Sequence, residues 1–145
     1  MIEISTDRAR MDVDAIHRYL SEESYWAKGI PRDVVERSIE HSLCFGAFDD
    51  GAQVGFTRVI TDYATFAYVA DVFVLASHRG RGIGKRIMEA VLAHPELRGL
   101  RRWHLVTRDA QGLYAQFGFT PLDAPERHMM IRSPANRQPP TVIPR

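Results

Sequence analysis

Residues 78 to 86 read His-Arg-Gly-Arg-Gly-Ile-Gly-Lys-Arg, with Gly80, Gly82 and Gly84 alternating among Arg79, Arg81, Lys85 and Arg86. The run Val72-Phe73-Val74-Leu75 precedes them, and Ile83, Ile87, Val91 and Leu92 follow at helical spacing and stop before Pro95. A glycine turn between a buried strand and a helix exposes backbone N–H groups, and the helix N-terminus adds partial positive charge. The chemistry on offer is phosphate binding. Two common nucleotide loops are excluded by spacing. G-x-x-x-x-G-K-[ST] needs glycine where Arg79 stands and a hydroxyl where Arg86 stands, and G-x-G-x-x-G fails because the glycines run G-x-G-x-G.

A second constellation follows about 30 residues later, Gly112-Leu113-Tyr114-Ala115-Gln116-Phe117-Gly118-Phe119. With the pattern R-x-x-G-x-G at Arg79, Gly82 and Gly84, it resembles the GNAT acyltransferase superfamily over at least Gln53 to Leu122. The resemblance implies an N-acetyltransferase that uses acetyl-CoA as co-substrate, needs no metal and moves the acetyl group directly to an amine. By position, Val72, Phe73 and Val74 would bind the pantetheine arm. Arg79, Gly80, Arg81, Gly82, Ile83, Gly84 and Lys85 would hold the pyrophosphate, and Tyr114 would protonate the departing thiolate. Where the family often has a cofactor-binding asparagine this chain has Thr107; Thr107 or Asp109 replaces it or caps the next helix, and capping is the expectation for Asp109. The implied fold is α/β of the mixed (α+β) kind, a mostly antiparallel central sheet flanked by helices and split next to the cofactor strand.

The residue chemistry agrees with these roles. A phenol with a reference pKa of about 10 stays protonated at neutral pH, while a thiol near 8.5 leaves as a base able to take a proton. Strand N–H groups at Val72–Val74 would stabilise the oxyanion if the strand parts from its neighbour. Asp71, a carboxylate in an apolar strand, is the candidate general base, or else an aspartate bracing a neighbouring loop. Tyr25 and Trp26 are the candidate acceptor-binding residues, because the family places its acceptor between the early helices and the sheet.

The elements that must position these groups are legible from period and punctuation. Ile2-Glu3-Ile4 alternates as a strand. Asp12 precedes the helical spacing of Val13, Ile16, His17 and Leu20, and Pro31 opens a second helix through Val35 and Ile39. Asp49-Asp50-Gly51 predicts a hairpin between Cys44–Phe48 and Gln53–Ile60, and Thr65–Leu75 a third, central strand. Arg102–Thr107 follows as a strand, then a helix stopped by Gly118, then closing strands at Phe119–Leu122 and His128–Arg132. One domain over 1–133 is expected, with an irregular proline-rich tail at 134–145.

Composition sets the partners. The formal charge of +1 conceals 7 basic and 13 acidic side chains in residues 1–77 against 12 and 5 in 78–145. The basic half suits CoA phosphates and the acidic half a peptide or small-molecule amine. Charge gathered at one loop argues against nucleic acid, leaving a non-catalytic acyl-CoA sensor as the alternative to an enzyme. Cys44 alone cannot form an internal disulfide, and no apolar run approaches the roughly 20 residues of a membrane span. A cytoplasmic protein is expected, and a homodimer is compatible with the family.

Overall fold

The computed structural model describes residues 1–133; the expected tail at 134–145 lies outside them. Five strands form one sheet in chain order, β1 (Ile2–Ser5), β2 (Leu43–Asp49), β3 (Ala52–Thr61), β4 (Phe66–Val74) and β5 (Arg102–Leu105). The first four run antiparallel, and β5 lies parallel to β4. The expected mixed, mostly antiparallel fold is thus observed.

The hairpin between β2 and β3 turns on Asp50 and Gly51, both at positive φ, the requirement of a two-residue turn that matches strand twist. Before β2 come α1 (Val13–Arg18), a π-turn over Tyr19–Glu23, and α2 (Arg32–Glu40). Asp12 caps α1 by accepting from the Ala15 N–H at 3.1 Å. Ile16, Leu20, Val35 and Ile39 pack with Phe48, Phe56 and Phe73 in one buried cluster. In another, Ile83, Ile87 and Val91 of α3 (Ile83–Ala93) pack with Phe45, Ala47, Val54 and Val59. The sheet is therefore held between helices on its two faces. No described helix is long and apolar enough to cross a membrane.

Two expectations fail after β5. Phe119–Leu122 and His128–Arg132 are not strands; an irregular segment with a 3-10 turn at Pro125–Arg127 takes their place. Pro121 brings no N–H to a ladder, and Ala124 sits in the left-handed region, so extension is broken twice. Met129, Met130 and Ile131 turn to solvent. The helix α4 (Gln111–Ala115) spans a single turn, and the hydrogen-bonded turn that follows it closes at Gly118, with φ +96°.

Candidate active site

The site is built where β4 loses a neighbour. Its pairing to β5 runs from Phe66–Arg102 to Val69–Leu105 and stops, whereas its pairing to β3 continues to Val74–Gly55. A bulge follows directly, setting Asp71 and Val72 against Thr57 alone, with Asp71 at φ +56°. Aspartate tolerates this conformation better than most residues, and strain of this kind gathers at functional sites. Thr57 Oγ1 donates to the Ala70 carbonyl at 2.8 Å, satisfying an acceptor the bulge displaces. The Leu75 N–H donates toward β3, to Val54 O. By strand alternation Val72 and Val74 direct their backbone groups away from β3, into the gap left by β5.

Beyond β4 a 3-10 turn, Ala76–His78, leads into the glycine loop. Gly80 and Gly82 have φ +80° and +74°, and a side chain at either would meet nothing within 4 Å. The conformation demands glycine there, and the space above is open. Gly82 caps α3 without a side-chain hydrogen bond, so the first-turn N–H groups remain available to an anion. Arg79 is engaged, with Nε donating to Val74 O at 3.1 Å and an Nη to the Tyr19 hydroxyl at 3.0 Å. These groups suit a diphosphate laid across Gly80–Lys85.

Tyr114 lies at the side of the gap, 7% exposed, packed with Val69, Met88, Val72 and Leu105. Burial, helped by the neighbouring Tyr25, pushes its phenol above the ordinary tyrosine value. No buried side-chain oxygen is left unpaired among the described residues. The Tyr114 hydroxyl bonds no described protein group and so opens to solvent. Thr107 Oγ1 accepts from the Ala110 N–H at 3.1 Å. The N-cap of α4 is Ala110 and no side chain caps the helix; Thr107 Oγ1 closes the turn before it, and Asp109, expected as the cap, points outward toward Arg108.

Tyr25 and Trp26, adjacent in sequence, touch opposite arms of the split. Trp26 Nε1 donates to Asp71 Oδ1 at 2.8 Å on the β4 side. The Tyr25 hydroxyl accepts from the Arg108 N–H at 3.1 Å on the β5 side, with the Arg108 guanidinium 3.9 Å above its ring. The second oxygen of Asp71 takes Nε of Arg58 at 2.6 Å, in a pair largely shielded from solvent. Asp71 is thus held from both sides as a brace. Tyr19, Arg58 and Arg108 join this arrangement without a motif that marks them in the sequence. Arg58 was open to discovery as a cation inside an apolar strand, whereas the π-turn that swings Tyr19 onto Phe73, with ring centroids 4.0 Å apart, leaves no sequence mark.

Cys44 is buried among apolar side chains, and burial pushes its thiol up to about 11, away from the thiolate form. A cavity of about 760 Å³ outside β5, lined by Trp103, His104, Phe119 and His128, shares no side chain with the loop or Tyr114.

Residues 40–121 match the family model of the acetyltransferase (GNAT) domain. A candidate acetyltransferase of Gibberella zeae is 33% identical over 135 residues, 78% of this chain and 75% of that protein. Mouse N-alpha-acetyltransferase 80 is 40% identical over 86 residues, 53% of this chain and 27% of the mouse protein. Among solved structures, a candidate GNAT-family acetyltransferase from Xanthomonas campestris has 56% identity and a TM-score of 0.91, covering 94% of this chain and 96% of its own. A Staphylococcus aureus protein with TM-score 0.74 and 23% identity, covering 92% of this chain and 99% of its own, shares the fold.

Proposed function

Because the chain belongs to the GNAT acetyltransferase family, we propose that it moves an acetyl group from acetyl-CoA directly to an amine, with Tyr114 as proton donor to the departing thiolate. The observation that carries this reading is the split at Val69–Leu105, which frees one backbone edge of β4 immediately before an open glycine loop at a helix N-terminus. Bound acetyl-CoA would supply a thioester acyl group.

The chain's own residues divide the work. The loop from Arg79 to Lys85 binds the pyrophosphate through first-turn N–H groups, with Arg81 and Lys85 adding charge. Val72 and Val74 offer N–H and C=O groups along the pantetheine arm, and an N–H in this stretch stabilises developing negative charge on the acyl oxygen. Tyr114 holds its proton because burial raises its pKa, and its hydroxyl is free to give that proton away. Asp71 braces the bulge and the Trp26 indole. With both its oxygens taken, the proton of the attacking amine passes to water rather than to Asp71.

The acceptor enters beside Tyr25 and Trp26, on the side that carries the acidic half of the chain. The mouse relative's name puts a protein N-terminal amine first among the acceptors to try.

The test is free-thiol release from acetyl-CoA over a panel of peptide N-termini, lysine peptides, polyamines and small amines, read beside the thermal shift caused by acetyl-CoA. Amine-dependent thiol release is the expected result. A thermal shift with no release for any amine leaves the sensor function; no shift at all ends the acetyl-CoA reading.

A further inference from the structure

The turn that feeds the glycine loop is fastened to a distant hairpin. His78 Nε2 lies 2.8 Å from Asp49 Oδ2, and its Nδ1 lies 2.7 Å from Ser77 Oγ. Both sides of the pair are mostly shielded, at 18% exposure for His78 and 28% for Asp49. Asp49 is a fixed post, the last residue of β2, registered against Ile2 on one side and Ala52 on the other. A carboxylate oxygen without a proton only accepts, so Nε2 is the donor, and it remains a donor whether the ring is neutral or charged. This bond is also the chief cause that holds the Asp49 carboxyl below its ordinary value.

The tie sits at one end of the anion loop, and others bracket it. Arg79 is fixed to Val74 O and the Tyr19 hydroxyl, and an Arg86 Nη donates to Ile2 O at 2.9 Å. Between Arg79 and Arg86 no described side chain makes a hydrogen bond or ion pair, so the loop is a bridge clamped at its ends. The two glycines at positive φ make its middle pliable, and the direction of its N–H groups depends on where the ends are held.

We propose that His78, anchored by Asp49, is a positioning residue for the anion loop: it sets the N–H groups of Gly80–Ile83 in place for the CoA pyrophosphate without touching the reacting atoms. This rests on the acetyl-CoA reading above. The chemical step lies at the other end of the pantetheine stretch, so the tie governs affinity for the co-substrate and not turnover.

The experiment compares the wild-type chain with His78→Ala, Asp49→Ala, the double variant, and His78→Gln, whose side-chain amide nitrogen can replace Nε2 as donor. Two readouts are taken: amide hydrogen exchange without ligand at Arg79 and Arg86, whose N–H groups donate to Ala76 O and Gly82 O at the two ends of the loop, and KM for acetyl-CoA against kcat. In each Ala variant these loop-end amides exchange faster and KM rises roughly tenfold, the size of one lost hydrogen bond to a charged group, while kcat stays within about twofold. The double variant is no worse than either single one, because the two residues act through one contact. His78→Gln recovers most of the affinity and of the exchange protection, which also separates loss of the tie from loss of the fold. Unchanged loop exchange, additive single effects, or a fall in kcat without a rise in KM overturns the proposal. Because the exchange readout needs no ligand, a wild-type chain that ignores acetyl-CoA yet shows the exchange effect condemns the cofactor reading and the stated purpose of the tie while leaving the tie itself observed.

Discussion

Phe66–Val69 and Ala70–Val74 are consecutive stretches of one strand, yet the first is paired on both sides and the second only to β3. The paired half commits its backbone groups to the sheet. The open half, starting at a bulge with Asp71 at φ +56°, leaves every other N–H and C=O facing a gap. Buried backbone groups without partners are costly, so the open half needs a ligand, water or side chains where the paired half needs none. Arg79 meets part of that need at Val74 O. One strand thus has a half paired on both sides and a half with an open edge, and the switch between them takes a single inserted residue.

Proline tests the contrast most sharply. Ala67, wholly buried, lies opposite Thr61 and Trp103, so Ala67→Pro should cost about 3 kcal/mol or more through its missing N–H and ring clash. Val74 points its N–H into the gap, so Val74→Pro should cost less than about 1 kcal/mol in stability. It should nonetheless weaken acetyl-CoA binding roughly tenfold by removing a donor. Urea denaturation and titration calorimetry read the two effects; equal destabilisation would mean that the halves do not differ.

Next in size is the chemistry beside the open half. Tyr114→Phe should lower kcat about 100-fold, the usual reach of a general acid. The pH profile gives a second reading. The phenol acts protonated, and burial raises its pKa, so wild-type kcat should hold beyond the ordinary tyrosine range before falling as pH rises, a limb absent from the Phe variant. An alkaline fall at or below that range would assign the limb to another group.

Smaller again is the indole that steadies the bulge. Trp26→Phe keeps an aromatic ring but removes the donor to Asp71, and should raise KM for the acceptor by up to about tenfold with KM for acetyl-CoA unchanged. A matching rise for both substrates would place Trp26 in general folding. The mildest effect belongs to the turn that delivers the paired half. Asp62 accepts from the Ala64, Thr65 and Phe66 N–H groups and from Thr65 Oγ1. These bonds hold its carboxyl well below the ordinary aspartate value. Its contribution is therefore complete above that ordinary value and lost as pH falls below it. Asp62→Asn should flatten the acid limb of stability, measured as Tm against pH, and leave acetyl-CoA binding alone.

Much of this arrangement was legible along the chain. Asp12 as a cap, Asp50-Gly51 as a hairpin turn and Gly118 as a helix stop each follow from a residue and its immediate neighbours. The strand, glycine loop and helix at 72–93 read equally well, because the period changes at glycines that only a turn can use. The closing strands did not follow, since a pattern of apolar residues after β5 says nothing of where Pro121 and Ala124 would break it. Asp109 does not cap α4, because the helix starts one residue later, after Ala110, and the Asp109 carboxylate turns toward Arg108, a choice that spacing does not give.

By itself, then, the sequence determined the local units and a glycine loop whose N–H groups and charge suit an anion, because glycine freedom, helix periodicity and charge act over a few residues. Only the tertiary structure decided how those units meet. The split, the bulge and the His78 tie depend on partners far apart in the chain, as in the contacts between Asp49 and His78, Trp26 and Asp71, and Tyr25 and Arg108, which span 29, 45 and 83 residues. Such pairings form only after loop closure has been offset by core burial, and no local propensity encodes them.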